Sequence, residues 1–370
     1  MKVRLMSIGT ATPAGVLEAA RALELALALK HPEASAALIR RLHAGSGVAR
    51  RGVEIIGSDG GLQLFVPGER PNPTTAQRLA LYSPSAGRLA VEASRRALAG
   101  AGLGAGKDGG AGLITHVVTA SCTGGLAPGL DRRLIDELGL RADIRRTHVG
   151  FMGCHAAINA LAVAAAFARA DGGRVLVCCA EVCSVHMHHS ARPDRLVANA
   201  LFADGAAAAV VAVSDDVHGP SVEVAESVVL PQTQGLMAWE IGDHGFEMTL
   251  DAQVPRVLGT LVPGWLSGVL ERQGLARGDV AGWAIHPGGP RVVGEIAEGL
   301  GLSAGATGAS LDVLREHGNM SSATVLFVLA RLLGWDGDGG GGGAGVVGGP
   351  LVMAAFGPGL AGEVMVLRAG

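Results

Sequence analysis

The sequence has few aromatic residues and few charged ones. Among its 370 residues, 3% are aromatic and 17% are charged, and the formal net charge is −3. So few aromatic side chains argue against stacking platforms for nucleic-acid bases, and the small net charge gives no electrostatic attraction to a polyanion. We therefore predict no nucleic-acid partner. The apolar fraction of 49% indicates a globular chain with ample material for a core.

The cysteines lack the spacing of a zinc site or of a disulfide framework. No CxxC pair faces a second such pair or an HxxxH motif, so we predict no metal site. Four of the five lie between positions 154 and 183, in or beside apolar segments, which favours reduced thiols in a cytoplasmic protein. The cysteines are Cys122, Cys154, Cys178, Cys179 and Cys183.

The sequence also lacks a recognisable targeting or membrane segment. The start, MKVRLMSIGTATP, is too short and too interrupted for a signal peptide. No span of about 20 residues is free of charged and polar breaks, as a transmembrane helix requires. We predict a soluble, cytoplasmic protein with no membrane span.

Apolar strands alternate with helical segments along the chain. Val3–Ile8, Ile114–Ala120 and Arg174–Ala180 are typical of buried strands, and helical segments lie between them. This alternation predicts a layered α/β architecture. The second half of the chain repeats the same order, which suggests an internal duplication. We place the N-terminal half at residues 1–216 and the C-terminal half at residues 217–370.

Three local predictions concern single elements. Ser83 followed by Pro84 predicts a helix start, with the helix running to about Gly102. Leu201–Val213 is predicted as a strand entered through an Asp-Gly pair. Asp336–Gly349 is a glycine-rich, low-complexity segment and is predicted to be a flexible loop.

Cys154 opens a strongly apolar helix. The stretch Val149–Ala170 has almost no polar face, so its helix must be buried. A cysteine at the first turn lies at the positive end of the helix dipole, which favours the nucleophilic thiolate. The alternative is that Cys154 is one more small buried apolar residue.

Two further residues complete a possible catalytic set with Cys154. His286 ends a strand before Pro-Gly-Gly, and Asn319 lies in a glycine turn before an apolar helix. Taken singly, His286 would be read as a packing or surface residue, and Asn319 as a residue that forms a turn. Together they match carbon–carbon bond formation from acyl thioesters, in which a thiolate carries the acyl group and two donors stabilise the enolate formed when malonyl loses carbon dioxide. The same histidine can form an ion pair that lowers the cysteine pKa.

The sequence resembles the type III polyketide synthases, the chalcone and stilbene synthase family, over essentially its whole length. The resemblance rests on five motifs in the family's order. They are GFMGCHAA around Cys154, LFADGAAA at Leu201–Ala208, IHPGGP at Ile285–Pro290, GNMSSATVLFVL at Gly318–Leu329 and FGPGL at Phe356–Leu360.

The resemblance implies a thiolase-like, five-layered αβαβα fold made of two duplicated halves, the first carrying the cysteine and the second the histidine and asparagine. It implies a homodimer that needs no carrier protein, metal or organic cofactor. An acyl-CoA starter would load on Cys154, be extended with malonyl-CoA and cyclise in the same cavity. His286 and Asn319 resemble the decarboxylation and oxyanion donors, and Phe202 resembles the aromatic gate between the CoA tunnel and the cavity.

The CoA contact is implied less completely. Arg41 lies where the family has a basic phosphate contact, but that residue's basic neighbours in plant members are Leu38 and Gly45 here, and Arg40 is a candidate replacement. From the residues alone, the arginines of Ile39–Arg51 are either a solvated face or a phosphate contact.

The cavity positions depart from plant members, so the resemblance does not carry over the plant substrate. Trp239 and Met248 are either specificity residues or ordinary packing, and Cys122 is either a second working thiol or inert lining. A fatty acyl-CoA or malonyl-CoA starter and a pyrone, resorcinol, phloroglucinol or naphthalene product would suit a bacterial-type enzyme. The changed positions are Cys122, Thr123, Cys183, His186, Trp239 and Met248; Glu181 and Ser321, of the group that selects the mode of ring closure, are retained.

Two alternatives remain open at the level of sequence. One is an initiating ketoacyl-carrier-protein synthase, which shares the cysteine, histidine and asparagine. The other is a non-catalytic scaffold with the same fold. The IHPGGP and FGPGL motifs argue against the first, and the intact set of three residues argues against the second.

Overall fold

The computed structural model describes residues 1–57, 60–65, 72–104, 106, 109–215, 219–303, 305–336 and 348–370, so most of the predicted loop Asp336–Gly349 lies outside the described residues. The strands are β1 (Lys2–Ala11), β2 (Val16–Glu18), β3 (Arg50–Gly52), β4 (Ile114–Ser121), β5 (Arg145–Gly150), β6 (Arg174–Val182), β7 (Asp204–Ser214), β8 (Ser221–Val229), β9 (Met237–Gly242), β10 (Gly245–Leu250), β11 (Gly282–Ile285), β12 (Gly349–Gly357) and β13 (Ala361–Ala369). The helices are α1 (Ala19–Ala28), α2 (Ala36–Gly45), α3 (Thr75–Gly100), α4 (Leu130–Leu138), α5 (Ala156–Asp171), α6 (Pro193–Leu201), α7 (Val254–Arg272), α8 (Pro290–Leu300), α9 (Gly308–His317) and α10 (Thr324–Leu333).

Nine of the described strands form a sheet in two parts. The order is β5-β4-β6-β7-β1 in the first part and β8-β13-β12-β11 in the second. In the first part, β6 lies between parallel β4 and antiparallel β7; in the second, β12 lies between parallel β11 and antiparallel β13. One paired position, Arg4 with Ser221, joins β1 to β8. The two parts therefore repeat one topology.

Three apolar clusters show how the helices cover the two parts of the sheet. Helices α5 and α10 pack on the inner faces of both parts, against residues such as Val177 and Met353. Helix α3 covers the outer face of the first part, and α7 and α8 cover that of the second. The layers run α3, sheet, α5 with α10, sheet, α7 with α8. This order confirms the predicted five-layered αβαβα architecture.

The central helix α5 is built mainly from small residues. Ala156, Ala160, Ala164 and Ala168 are fully buried, and their small size lets two sheet faces approach the same layer. By length and composition, Gly153–Asp171 could cross a membrane, the one such helix among the residues described. In this fold it is a core helix packed between the two parts of the sheet.

Helix α3 begins earlier than the sequence predicts. The Thr74 hydroxyl accepts from the Gln77 N–H at 3.3 Å, and the Gln77 side chain accepts from the Thr74 N–H at 2.8 Å. This capping box starts the helix at Thr75 and leaves Pro84 inside it. The predicted start at Ser83–Pro84 is wrong because burial of α3 against the sheet outweighs the one backbone hydrogen bond that proline cannot make.

The connection into β7 also differs from the prediction. Residues 193–201 form α6, with Pro193 in its first turn, so the strand predicted at Leu201–Val213 begins only at Asp204. Strand β5, helix α9 and the β9–β10 hairpin were not predicted. The hairpin strands are six residues each and turn through Asp243 and His244 rather than through an Asn-Gly or Asp-Gly pair.

Candidate active site

Cys154 lies in a single tight turn directly before α5. The backbone enters this turn with positive φ at Phe151 and Gly153, at 56° and 77°. A Cβ on Gly153 would lie 2.2 Å from Pro358 Cδ, so this position requires glycine. The Cys154 sulfur is half-buried and lies 3.7 Å from the Ser321 hydroxyl. The turn thus presents the thiol toward the loop before α10.

Asn319 is held beside the end of α6 by its backbone. Its N–H donates to the Leu201 carbonyl at 2.9 Å, and its carbonyl accepts from the Ala203 N–H at 2.8 Å. Its side-chain oxygen accepts from the Ser321 N–H at 2.9 Å. The side-chain amide is left to donate, and its hydrogen bond to the Cys154 sulfur lowers the pKa of that thiol. The structure therefore brings Asn319 and Cys154 into contact.

His286 is a buried imidazole without a hydrogen-bond partner. His286 lies at the end of β11, where its backbone N–H donates to the Ala354 carbonyl at 2.8 Å. The residue is 2% exposed. Neither ring nitrogen has a partner among the described residues. Burial, and then the neighbouring charge of His155, lowers the pKa of His286 to about 3. A neutral imidazole with unpaired nitrogens can donate to a developing oxyanion and accept a proton.

Burial favours the protonated form of the Cys154 thiol. Burial raises its pKa to about 12; the hydrogen bonds to Ser321 and Asn319 lower it, and the charge of Glu181 raises it. The expectation that the helix dipole favours the thiolate is therefore not met, because desolvation in the molecular centre outweighs it. The shifts of Cys154 and His286 both favour the neutral forms over an ion pair.

A cavity of about 380 Å³ extends from Cys154 to helices α1, α2 and α6. Glu181 is fully buried behind its wall, and neither His286 nor Asn319 is among its lining residues. Of the residues predicted from sequence, the cavity brings together Cys122, Thr123, Cys154, Cys183, His186, Phe202, Trp239, Met248 and Ser321.

Glu181 accepts hydrogen bonds from several directions. Donors include the Thr123 hydroxyl at 2.7 Å, the Cys122 N–H at 3.0 Å and the Ser322 hydroxyl. Burial nevertheless raises the pKa of this carboxyl, and the hydrogen bonds oppose the rise. The resemblance placed Ser321 in the same hydrogen-bonded group as Glu181; here Ser322 bonds Glu181, and Ser321 lies beside Cys154. The adjacent serine of the GNMSS motif was the available signal.

His186 and Trp239 are fixed as wall groups. The Trp239 indole N–H donates to the Cys122 carbonyl at 2.7 Å. His186 Nδ1 accepts from the Phe246 N–H at 3.0 Å, so its Nε2–H donates to the Thr123 carbonyl at 2.7 Å. The ring stacks on Phe246 with centroids 4.1 Å apart. Sequence reasoning missed Phe246, which shapes this wall.

Cys122 is bonded in both directions to the turn that carries Cys154. Its sulfur accepts from the Gly153 N–H at 2.9 Å and donates to the Gly153 carbonyl at 3.5 Å. Burial raises the pKa of the Cys122 thiol well above its ordinary value. A protonated, internally bonded thiol favours the interpretation of Cys122 as inert lining.

The arginines of Ile39–Arg51 separate into two kinds. Arg51 is buried, and its guanidinium donates to the Phe202 carbonyl at 2.7 Å. Burial lowers its pKa to about 10, while the Asp204 charge raises it. Arg40 and Arg41 are exposed on α2 and have no ion pair within the described part of the chain. They do not line the cavity, although Ile39 and His43 of the same helix do.

Comparison with known proteins identifies the family. Residues 1–215 match the N-terminal domain of the chalcone and stilbene synthases, and residues 221–369 match their C-terminal domain. The chain belongs to this family. It is therefore a type III polyketide synthase, a condensing acyltransferase that uses malonyl-CoA, and its fold is thiolase-like. Among the described residues, no group of three or more His, Cys, Asp or Glu side chains could hold a metal ion.

Several relatives of this synthase are bacterial. It is 32% identical to the α-pyrone synthesis polyketide synthase-like Pks18 of Mycobacterium tuberculosis, over 97% of this chain and 89% of that one. It is 35% identical to 1,3,6,8-tetrahydroxynaphthalene synthase of Streptomyces peucetius, over 91% of this chain and 85% of that one. The crystal structure of PKS-I from the brown alga Ectocarpus siliculosus superposes with a TM-score of 0.88 at 28% identity. The superposition covers 100% of this chain and 98% of that one. The chain also matches 7% of the length of probable polyketide synthase 1 of Dictyostelium discoideum, at 35% identity over 59% of this chain.

Proposed function

We propose that Cys154, His286 and Asn319 carry out the condensation. The Cys154 sulfur attacks the starter thioester carbonyl, His286 accepts the thiol proton, and CoA leaves as its thiol by taking that proton from His286. Malonyl-CoA then loses carbon dioxide, and His286 and Asn319 donate to the enolate oxygen. The enolate carbon attacks the acyl-cysteine, which releases the extended chain on CoA and regenerates the sulfur nucleophile.

One observation carries this proposal above the others. His286 is buried next to the Cys154 turn with two unpaired ring nitrogens. Leaving a buried polar group unsatisfied costs about 1–3 kcal/mol, so such a residue is explained by a ligand that completes its bonds. The resting pair is neutral, so deprotonation of the thiol would accompany acyl transfer to the sulfur.

The substrates are proposed from the cavity and from the relatives. We propose a fatty acyl-CoA or malonyl-CoA starter, malonyl-CoA as extender, and closure to a pyrone, resorcinol, phloroglucinol or naphthalene. A pyrone-forming and a naphthalene-forming relative support this range. Phe202 would gate the passage from the CoA tunnel, with Arg41 and Arg40 contacting the CoA phosphates. Their exposure on the helix that also lines the cavity supports that placement.

Assembly and location follow as further proposals. We propose a cytoplasmic homodimer whose protomers each have halves at residues 1–216 and 217–370. Leu126, Phe151 and Met152 are exposed apolar side chains, and the last two directly follow the edge strand β5, which supports an interface there. Light scattering after gel filtration would show twice the protomer mass; a monomer would remove this part of the proposal.

A product assay tests the function. The purified protein would be incubated with malonyl-CoA and a panel of acyl-CoA starters beside the Cys154→Ala variant, with products resolved by mass spectrometry. We expect polyketide lactones or aromatics from the wild type and none from the variant. Turnover only with a carrier-protein substrate, or no malonyl turnover with any starter, would contradict the proposal.

A further inference from the structure

Two residues of the cavity wall each carry an unpaired polar atom. Both His188 and Arg195 line the cavity. His188 Nδ1 and Arg195 Nε are buried, and neither has a hydrogen-bond partner among the described residues. His188 Nε2 bonds the Phe246 carbonyl and Arg195 pairs with Glu247, so the two side chains reach neighbouring residues of β10. We call this pair the His188–Arg195 corner.

The hydrogen bonds of His188 fix which nitrogen carries the proton. Its Nε2 lies 2.9 Å from the Phe246 carbonyl, which can only accept, so Nε2 bears the hydrogen. Burial lowers the pKa of His188 to about 4, so the ring is neutral near pH 7. Its Nδ1 is therefore a bare acceptor in a side chain that is only 7% exposed.

Arg195 supplies a donor whose charge is already balanced. One of its terminal nitrogens pairs with Glu247 on β10, while its Nε–H is unpaired. A ligand carboxylate would be repelled by the negative charge of Glu247 and by the lone pair on His188 Nδ1. The corner therefore suits a neutral group that both donates and accepts.

The corner is also held in place before any ligand arrives. The Asn199 side chain accepts from the His188 N–H at 3.1 Å and donates to the His188 carbonyl at 2.8 Å. Asn199 and Arg195 are both on α6, so one helix positions both halves of the corner. A preorganised donor and acceptor lose little freedom on binding.

We propose that the His188–Arg195 corner binds a hydroxyl group at the distal end of the acyl substrate. The hydroxyl would donate to His188 Nδ1 and accept from Arg195 Nε–H. A ketone oxygen would satisfy Arg195 alone, and a methyl group would satisfy neither. The substrate class is thus an acyl-CoA whose chain carries a hydroxyl, a refinement that rests on the proposed synthase function.

The cavity also has an apolar surface, which fits the rest of such a substrate. Leu25 and Leu29 of α1 and Leu196 of α6 line the same cavity as the corner and Cys154. An aliphatic acyl chain can lie along this surface with its thioester at the sulfur and its far end at the corner.

The test compares matched starters that differ in one hydroxyl. Hexanoyl-, octanoyl- and decanoyl-CoA would each be compared with the ω-hydroxyacyl-CoA of the same length, and cinnamoyl-CoA with 4-hydroxycinnamoyl-CoA. We expect kcat/KM to favour the hydroxylated member by about tenfold or more at the length that reaches the corner, because the plain analogue leaves both buried groups unpaired. Equal values for every pair would overturn the proposal.

Variants separate this subsite from the synthase function. In His188→Phe and Arg195→Met, the preference should fall to near unity while turnover of the plain starter persists. His188→Gln, whose amide can both donate to Phe246 and accept, should keep part of the preference. Arg192→Met removes an exposed arginine paired with Asp194 on the same helix, and it should behave as wild type. Preference retained in both corner variants would refute the corner, whereas absence of Cys154-dependent product from every starter would refute the synthase function itself.

Discussion

His286 and Cys154 have pKa shifts in opposite directions, and both shifts favour the neutral form. Burial lowers the pKa of the imidazole to about 3 and raises that of the thiol to about 12. The proposed mechanism therefore uses a donor that stays neutral and a nucleophile that is deprotonated only as it reacts. Each of these properties can be measured at a single residue.

Alkylation of Cys154 should report its raised pKa. Because only the thiolate reacts, the rate with iodoacetamide should rise about tenfold for each pH unit from pH 7 to 9, without a plateau. A cysteine peptide, with a pKa of about 8.5, should level off in the same range. Peptide mapping of the alkylated protein would isolate Cys154 from the buried cysteines, with Cys154→Ala as the blank. A plateau below pH 8 would show a stabilised thiolate instead.

Removing the donor of His286 should stop malonyl decarboxylation. In His286→Ala, carbon dioxide release should fall by about 10²–10³, the usual loss for one oxyanion donor. His286→Gln should retain part of the activity because its amide can still donate. Release of labelled carbon dioxide from malonyl-CoA measures both. Unchanged release in the alanine variant would remove His286 from this step.

Arg51 connects two segments of the candidate site. It bonds the Phe202 carbonyl, and the residues on either side of Phe202 hold the Asn319 backbone. Arg51→Met should therefore loosen both, lowering kcat and destabilising the fold by about 1–3 kcal/mol, the cost of unpairing a buried carbonyl. Urea unfolding and steady-state kinetics would measure the two effects. Arg50→Met, at the exposed neighbour, should change neither.

The elements also show what the sequence could predict and what it could not. Strands such as β4 and β6 and the helix after Cys154 have strong local patterns, and all were found close to their predicted positions. The start of α3 was misplaced because its position depends on a cap at Thr74 and on burial rather than on Pro84.

In the candidate site, too, some features could be predicted from the sequence and others could not. The resemblance indicated residues that the structure places in one cavity with Cys154, such as Cys183 and Trp239. It could not predict that Arg51 is buried under Phe202, or that Ser322 rather than Ser321 reaches Glu181. Those facts depend on the direction in which each side chain leaves the backbone.

At the scale of the whole molecule, the candidate site lies where the two parts of the sheet meet. Cys154 comes from the first part, and His286 and Asn319 come from the second. The helices α5 and α10 pack on both parts at once. Neither helix can open unless both sheet faces separate from it, so these helices should be released only when the molecule unfolds globally.

Hydrogen exchange would measure this order of stability. We expect the slowest amide exchange in α5 and α10, with α3, which covers one sheet face only, intermediate. Helices α1 and α2 should exchange fastest, because they pack on each other and on α6 around a small cluster at the cavity. If α5 exchanged faster than α3, the central layer would not be the most stable part. The reactive thiol is thus attached to the layer expected to move least, while the cavity wall at α1 and α2 is free to adjust to the acyl chain.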